Sequence, residues 1–143
     1  MVRFRKLKLG DLDFIYKDPD LRPLITTAYK GNSFAVVVEE GERIIGGVSG
    51  YATDTSAFLK KAIIKHIEQK SLYMDGLIRS LIHFLELDGI EYLFVEEFNP
   101  VYLDIGFNKL QGTEEFLIKE NSSMPTYHDA EHVYWINVKD FFK

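Results

Sequence analysis

The chain has 143 residues, of which 46% are hydrophobic, 14% aromatic and 27% charged. This length and composition predict one folded domain and exclude a wholly disordered chain, which needs low hydrophobicity. The absence of cysteine excludes a disulfide scaffold and a cysteine nucleophile. The net charge of −5 argues against a nucleic-acid-binding protein. The apolar runs are far shorter than the about 18 residues of a membrane span, and the basic N-terminus lacks the apolar core of a signal peptide. We therefore expect a cytoplasmic protein with no nucleic-acid or membrane partner.

The first third of the chain predicts a strand, two short helices and a hairpin. Asp11 is placed to cap the first helix, and Pro23 lies near the start of the second, where a missing N–H costs least. Gly41 marks the hairpin turn. The predicted elements are a strand over residues 2–9, helices over 12–16 and 20–29, and strands over 33–40 and 43–51. Three glycines in the last strand predict a bulge or the close approach of a backbone or ligand: Gly46, Gly47 and Gly50.

Residues 57–67 fit two structures. One apolar stripe has the spacing of a helix: Phe58, Leu59, Ala62, Ile63 and Ile67. The same segment also alternates like a strand. Periodicity alone favours the helix slightly, and both interpretations stay open on this evidence.

The second half of the chain contains the clearest helix. Its apolar stripe covers residues 71–87 (Leu77, Ile78, Leu81, Ile82 and Leu85), and Asp88 and Gly89 end it. A continuous apolar run follows, which suits a strand covered on both faces. The later elements are a strand over 91–96, a short helix from Asn99 and Pro100 to Gly106, strands over 113–119 and 132–138, and a polar loop over 120–131. Strand clusters with inserted helices predict an α+β domain with a mixed sheet.

The segment from residue 60 to residue 70 is rich in basic residues and contains a single acid, Glu68. Its basic residues are Lys60, Lys61, Lys65, His66 and Lys70. This cluster fits either a solvated face or a local anion site. No metal site is expected, since the histidines lack the spacing of metal ligands. No Gly-x-Ser-x-Gly sequence is present to support serine hydrolase chemistry.

A short sequence near the middle of the second half carries a family resemblance. Residues 102–107 read Tyr-Leu-Asp-Ile-Gly-Phe and follow Gly89, Ile90 and the predicted buried strand. This segment resembles the tyrosine-x-x-x-glycine-phenylalanine sequence of the GCN5-related N-acetyltransferases (GNATs), whose order of elements is similar along nearly the whole chain. The resemblance implies a single α+β domain over residues 1–143 with a mixed, mostly antiparallel sheet of about seven strands and helices on both faces. It also implies that residues 58–67 form the fourth strand.

The phosphate-binding loop of the family departs from its consensus in this sequence. In the family, Arg/Gln-x-x-Gly-x-Gly/Ala opens the long helix, and its N–H groups approach the pyrophosphate of coenzyme A. Gln69 is similar to the first position, which sets Leu72 and Met74 on the two glycine positions. An alternative places Gly76 and Ile78 there but needs extra residues after the strand. We follow the first placement because it needs no gap.

The resemblance implies acetyl-CoA as a cosubstrate and gives several residues a role in binding it. The backbone of Ile63, Ile64 and Lys65 is expected to contact the pantetheine arm. Asn99 is expected to cap the next helix and to touch the same arm. The phosphates are expected at the start of the long helix, with help from Lys65 and Lys70; that start comprises Gln69, Lys70, Ser71, Leu72, Tyr73 and Met74.

Two residues are candidates for catalysis. Tyr102 stands at the position of the family's general acid, and a phenol with a pKa of about 10 suits a thiolate leaving group with a pKa of about 8.5. Glu96 and Glu97 follow the fifth strand, and only one of them can point into the cleft because side chains alternate along a strand. We prefer Glu96 as the base. The acceptor site is expected between the helices of residues 11–31 and the loop over 120–131.

Two functions follow from the resemblance. The first is an N-acetyltransferase in which a primary amine of a small molecule or a protein attacks acetyl-CoA directly. The second is a catalytically silent GNAT-like binding or regulatory module with weak or no binding of coenzyme A, which Leu72 and Met74 favour. Strand edges of this fold often pair between chains, so the resemblance also allows a homodimer.

Overall fold

The computed structural model of the chain describes residues 1–26, 32–65, 68–96, 99–109 and 133–141. Its elements in chain order are β1 (Val2–Lys6), a 3-10 turn (Leu9–Asp11), α1 (Leu12–Lys17), α2 (Pro23–Thr26), β2 (Asn32–Glu40), β3 (Arg43–Thr53), β4 (Ser56–Ile64), α3 (Lys70–Leu87), β5 (Tyr92–Val95), α4 (Pro100–Ile105), β6 (Asn108–Lys109), β7 (Tyr134–Asn137) and α5 (Val138–Phe141). Within these residues the strands form one seven-stranded sheet in the order β1-β2-β3-β4-β5-β7-β6. Neighbouring strands are antiparallel except β4 and β5, which are parallel. The α+β class and the mostly antiparallel sheet are therefore as predicted.

Helices cover both faces of the sheet. The apolar stripe of α3 is buried against one face, where it packs with Val36 and Val38 of β2. Val37, between them, points to the other face and packs with Ile15 of α1 and Leu24 of α2. This alternation follows from the two-residue period of a strand, which sends successive side chains to opposite faces. No helix in the described part of the chain is long and apolar enough to cross a membrane.

Gly76 lies inside α3 and serves packing. The Phe4 ring of β1 lies directly over it, so that a Cβ at this position would come within 2.1 Å of Phe4 Cζ. Since α3 begins at Lys70, Gly76 is a full turn beyond the start of the helix. The structure therefore does not support placing the phosphate-binding loop on Gly76.

The glycines of β3 mark a bulge and close backbone approaches, as predicted. The register between β3 and β4 shifts between Ser49 and Gly50. A Cβ at Gly50 would lie 1.9 Å from the carbonyl oxygen of Phe58, and one at Gly46 would lie 2.5 Å from that of Ile63. These distances explain why β3 needs glycine where its neighbour β4 crosses close by.

Several elements begin or end at other residues than predicted, because local hydrogen bonds form turns there. The strand over 2–9 stops at Lys6, because the Asp11 carboxylate accepts from the Lys8 N–H at 2.7 Å and turns the chain into the 3-10 turn. The helix expected over 20–29 begins later, at Pro23, since the Asp18 carboxylate accepts from the Asp20 N–H at 2.9 Å and holds a turn before it.

The C-terminal predictions are tested only in part. The strand over 132–138 is found as β7, and α5 begins at Val138, with the Asn137 side chain accepting from the Asp140 N–H at 3.2 Å. The predicted strand over 113–119 and loop over 120–131 lie outside the described residues, as do residues 27–29 of the second predicted helix. The short strand β6 was not predicted. The segment over 57–67, which fitted two structures, forms a strand as far as Ile64.

Candidate active site

A wedge opens between β4 and β5 where their pairing ends. The two strands pair from Ser56 opposite Tyr92 to Leu59 opposite Val95, and no pairing between them is found beyond this point in the described residues. Lys60 comes next and is the extra residue of the bulge against β3. A bulge bends its strand and strengthens the local twist, which turns β4 away from β5. The wedge is the space between residues 60–64 of β4 and Glu96, which follows β5.

The peptide groups of β4 that face the wedge belong to alternate residues. The Lys65 N–H donates to the Ile45 carbonyl of β3 at 2.8 Å, which fixes the pattern. Alternate residues of an antiparallel strand direct their peptide groups to the same neighbour, so Ile63 also faces β3 while Ala62 and Ile64 face the wedge. Of the three residues expected to contact a pantetheine arm through their backbone, Ile64 faces the wedge. Ala62 was missed, because the register of β4 was not known from the sequence.

Both predicted catalytic residues line one small cavity in this wedge. The cavity has a volume of ≈ 40 Å³, and its walls are Leu59, Lys60, Lys61, Ala62, Val95, Glu96 and Tyr102. The cavity thus joins the end of β5, the open part of β4 and the first turn of α4. Glu97 lies outside the described residues, so its direction is not compared with that of Glu96.

The Tyr-x-x-x-Gly-Phe segment holds Tyr102 in place. Gly106 ends α4 with φ of 117°, a left-handed conformation that favours glycine. This turn lets the Phe107 N–H donate to the Tyr102 carbonyl at 2.8 Å and sets the two rings 5.1 Å apart. At the other end of α4, the Asn99 side chain accepts from the Val101 N–H at 3.0 Å, which is the predicted cap. Tyr102 is buried, and its position is determined from both ends of the helix.

An ion pair crosses the wedge. The Lys60 ammonium group contacts the Glu96 carboxylate, and the two side chains are 19% and 39% exposed. The Lys60 Nζ also lies 5.9 Å from the centre of the Tyr51 ring. Sequence reasoning treated Lys60 only as one member of a basic cluster. Two adjacent lysines in the middle of an apolar strand were the available signal for a bulge there.

The start of α3 is exposed, and no acceptor for the N–H groups of residues 70–72 is found in the part of the chain that the structure describes. Gln69 precedes the helix with φ of 60°, and the Tyr73 N–H is the first to find a helical acceptor, the Gln69 carbonyl at 3.0 Å. The N–H groups of the first turn of a helix lack intrahelical acceptors and favour an anion there. Lys70 and Ser71 are exposed beside them.

The two residues in the glycine positions behave differently. Met74 is 3% exposed and packs in the core against the sheet, so its side chain does not obstruct the approach to the first turn. Leu72 is 63% exposed and remains on the surface of that turn. Of the two departures from the consensus, only Leu72 places a side chain on the surface where the phosphates are expected.

Two of the predicted cofactor-binding residues have other partners in the structure. The Lys65 ammonium donates to the Asp18 carboxylate at 2.6 Å, and this hydrogen bond lowers the pKa of Asp18. The buried Tyr73 hydroxyl donates to the Glu40 carboxylate at 3.3 Å. Burial raises the pKa of Tyr73, and the Glu40 charge raises it further. Both side chains tie neighbouring elements to the sheet next to the predicted phosphate site.

No group of three or more metal-ligating side chains is found within the described ranges.

Comparison with known proteins gives matches among solved structures. No family model and no curated protein matches the sequence. GCN5 from Tetrahymena has a TM-score of 0.68 at 16% identity, over 95% of this chain and 96% of that protein. The ribosomal-protein-S18-alanine N-acetyltransferase from Escherichia coli has a TM-score of 0.66 at 15% identity, over 96% and 94%. A GNAT family acetyltransferase from Elizabethkingia anophelis, solved with acetyl-CoA bound, has a TM-score of 0.61 at 13% identity, over 95% and 97%.

The chain has the GNAT fold. The fold expected from residues 102–107 and from the order of elements is thereby confirmed. The fourth strand of this GNAT fold is β4, which agrees with the strand that the resemblance implied for residues 58–67 rather than with a helix.

Proposed function

We propose that the chain is an acetyl-CoA-dependent N-acetyltransferase whose acceptor is a primary amine of a small molecule or a protein. The wedge carries this proposal, because Glu96, Tyr102 and the open edge of β4 line the same cavity there. One similar structure holds acetyl-CoA, and another is named for acetylating an alanine of a ribosomal protein. Both support an amine acceptor and a coenzyme A donor for this fold.

The residues present fit the coenzyme. A pantetheine arm carries amides, which need peptide partners, and Ala62 and Ile64 direct theirs to the wedge. A diphosphate needs N–H donors and positive charge, and the first turn of α3 offers both, with Lys70 beside it. Met74 leaves this approach open because it is buried in the core.

The acid and base have separate roles. Acetyl-CoA, when bound, supplies a thioester carbonyl carbon and a thiolate leaving group. Glu96 takes a proton from the incoming ammonium group, which makes the amine nucleophilic, and Tyr102 gives a proton to the departing sulfur. The buried position of Tyr102 keeps water from competing for that proton, while the partly exposed Glu96 can pass its proton to solvent.

Two measurements test the proposal. Isothermal titration calorimetry with coenzyme A measures binding, and release of free thiol from acetyl-CoA measures transfer to a panel of amines that includes polyamines, aminosugars and peptide N-termini. We expect binding, and amine-dependent thiol release with at least one acceptor class. Tyr102→Phe should lower kcat by about 100-fold with an unchanged Kd for coenzyme A, since it removes a general acid. The matched control Tyr16→Phe, on an exposed side chain, should change neither. Absence of coenzyme A binding at millimolar concentration would contradict the proposal.

The silent-module alternative is supported by Leu72 alone, the exposed side chain at the start of α3. If Leu72 blocks the phosphates, Leu72→Gly should increase the affinity for coenzyme A, whereas a functional loop should gain nothing. Met74 is unsuitable for this test. Its truncation in the core would destabilise the fold by about 2–5 kcal/mol, which would obscure any effect on binding.

A further inference from the structure

A primary amine of the chain itself already occupies the partner position of the proposed base. The Lys60 Nζ contacts the Glu96 carboxylate, and both side chains line the cavity that also contains Tyr102. An acceptor amine on its way to a thioester in the wedge must reach the same carboxylate. Lys60 therefore stands where the proposed mechanism needs a nucleophile.

The bulge explains why Lys60 reaches this position. Ser49 lies opposite Lys61 and Gly50 lies opposite Leu59, so Lys60 is the residue without a counterpart on β3. Bulges redirect the side chain of the extra residue. Here the Lys60 side chain is 19% exposed, and its ammonium lies beside the Tyr51 ring and against Glu96.

Lys61 provides the natural comparison. It is adjacent in sequence, and it is exposed. In a reaction governed by solvent access alone, Lys61 would be modified before Lys60. In a reaction governed by the groups of the wedge, the order would be reversed, because proximity and a positioned base accelerate transfer.

We infer that Lys60 is an acceptor of the acetyl group, so that the chain acetylates its own Lys60; this inference rests on the proposed function. Glu96 takes one proton from the Nζ ammonium, and the neutral nitrogen forms a bond to the thioester carbonyl carbon while the carbon–sulfur bond breaks. Tyr102 gives its proton to the sulfur. The nitrogen loses its second proton on becoming an amide, and this proton restores the phenol. The proton on Glu96 passes to solvent.

The modification changes the charge of the wedge. An acetylated Lys60 is neutral and no longer forms an ion pair with Glu96. The carboxylate is then free of its internal partner and can bind the ammonium group of an external acceptor. Self-acetylation therefore removes the internal acceptor, Lys60, and leaves Glu96 able to bind an external amine.

The experiment compares two acetyl donors by peptide mass spectrometry. Acetic anhydride has no nucleotide and reports intrinsic access, so it should label the exposed Lys61 faster than Lys60. Acetyl-CoA should reverse this order. With acetyl-CoA, Glu96→Gln should slow the labelling of Lys60 by about 100-fold, the lower range for a general base, and leave Lys61 unchanged. Lys60→Arg retains the positive charge beside Glu96, and Lys61→Arg is its matched control. Only Lys60→Arg should abolish the rapid incorporation of one acetyl group.

Calorimetry with coenzyme A separates the possible failures. If coenzyme A binds and acetyl-CoA labels Lys60 no faster than Lys61, the inference is overturned and the proposed function stands. If coenzyme A does not bind, both are overturned. The reversal of order in the unmodified chain needs no variant, so the result does not depend on how well Glu96→Gln folds.

Discussion

The two halves of β4 have opposite properties. Residues 56–59 pair with β3 on one side and β5 on the other, and all four are buried. Residues 60–64 begin with two lysines, are half-buried or exposed, and form no strand pairing with β5 in the described part of the chain. Where a strand pairs on both sides, its N–H and carbonyl groups are all hydrogen-bonded to neighbouring strands. Where the pairing on one side ends, the groups on that side can bind a ligand. In this chain, one strand thus supplies core in its first half and a candidate site in its second.

The largest effect is expected in the paired half. Phe58 is fully buried and stacks between Tyr51 at 5.0 Å and Phe94 at 5.5 Å. Phe58→Ala should lower the free energy of unfolding by about 3–5 kcal/mol, since it leaves a cavity in the core. Lys61→Ala in the open half should change it by less than about 0.5 kcal/mol. Urea denaturation measures both, and equal losses would break the contrast between the halves.

The next effect is expected at the boundary between the halves. Gly50→Ala places a methyl group against the Phe58 carbonyl oxygen, a backbone atom that cannot move freely. We expect a loss of about 1–3 kcal/mol, typical of overpacking, measured by thermal and urea denaturation. Gly10→Ala is the matched control, because nothing lies within 4 Å of a Cβ there. If both substitutions are tolerated equally, the close crossing of β3 and β4 at the bulge is not a constraint.

A smaller effect is expected from the ion pair of the open half. Lys60→Met removes the partner of Glu96 from a site that is partly exposed. The free energy of unfolding should change by no more than about 1 kcal/mol, since such pairs are screened by water. A loss as large as that of Phe58→Ala would show that the open half is as important to the core as the paired half.

The smallest effect is expected from the ion pair between Lys65, which follows β4, and Asp18, and it depends on pH. The Lys65 hydrogen bond lowers the pKa of Asp18 in the folded chain. The unfolded chain then holds the Asp18 proton more tightly, so this interaction stabilises the fold fully above the unfolded pKa of about 4 and is lost as pH falls through the lower folded value. Lys65→Met should therefore destabilise the chain near neutral pH and have little effect in strong acid. Lys17→Met, in an exposed ion pair with Asp13, is the control and should show little change at either pH.

The elements with one strong local signal could be predicted from the sequence. The long helix was expected over 71–87 and is found as α3, because its apolar stripe has a single period and Gly89 ends it in the left-handed conformation. The short helix before Gly106 was predicted for the same kind of reason, since Asn99 caps one end and Gly106 ends the other.

β4 could not be assigned from local pattern, because its two halves follow different rules. Leu59 and Ile63 are four residues apart and fit a helical stripe, and the bulge at Lys60 interrupts the alternation of a strand. Pairing with β3 and β5 decides the structure, and such tertiary contacts override weak local preference. The element order of a resembling family supplied what periodicity lacked.

The candidate site was predicted only in part, for a related reason. Tyr102 was proposed from the family resemblance of residues 102–107 and Glu96 from its place after the fifth strand, and the structure brings them to one cavity. Lys60 and Glu96 are 36 residues apart, and their contact depends on the parallel register of β4 with β5 and on the bulge. No local pattern encodes the parallel register of β4 with β5, so the ion pair was not foreseen.

Amide hydrogen exchange tests most directly whether the open edge of β4 binds the pantetheine arm. The exchange is followed for each residue by NMR, with and without coenzyme A. The N–H groups of Ala62 and Ile64 face the wedge, whereas that of Ile63 faces β3. We predict that coenzyme A slows exchange at Ala62 and Ile64 and leaves Ile63 unchanged. Binding of coenzyme A with no protection at Ala62 and Ile64 would contradict the assignment of the wedge as the site of the pantetheine arm.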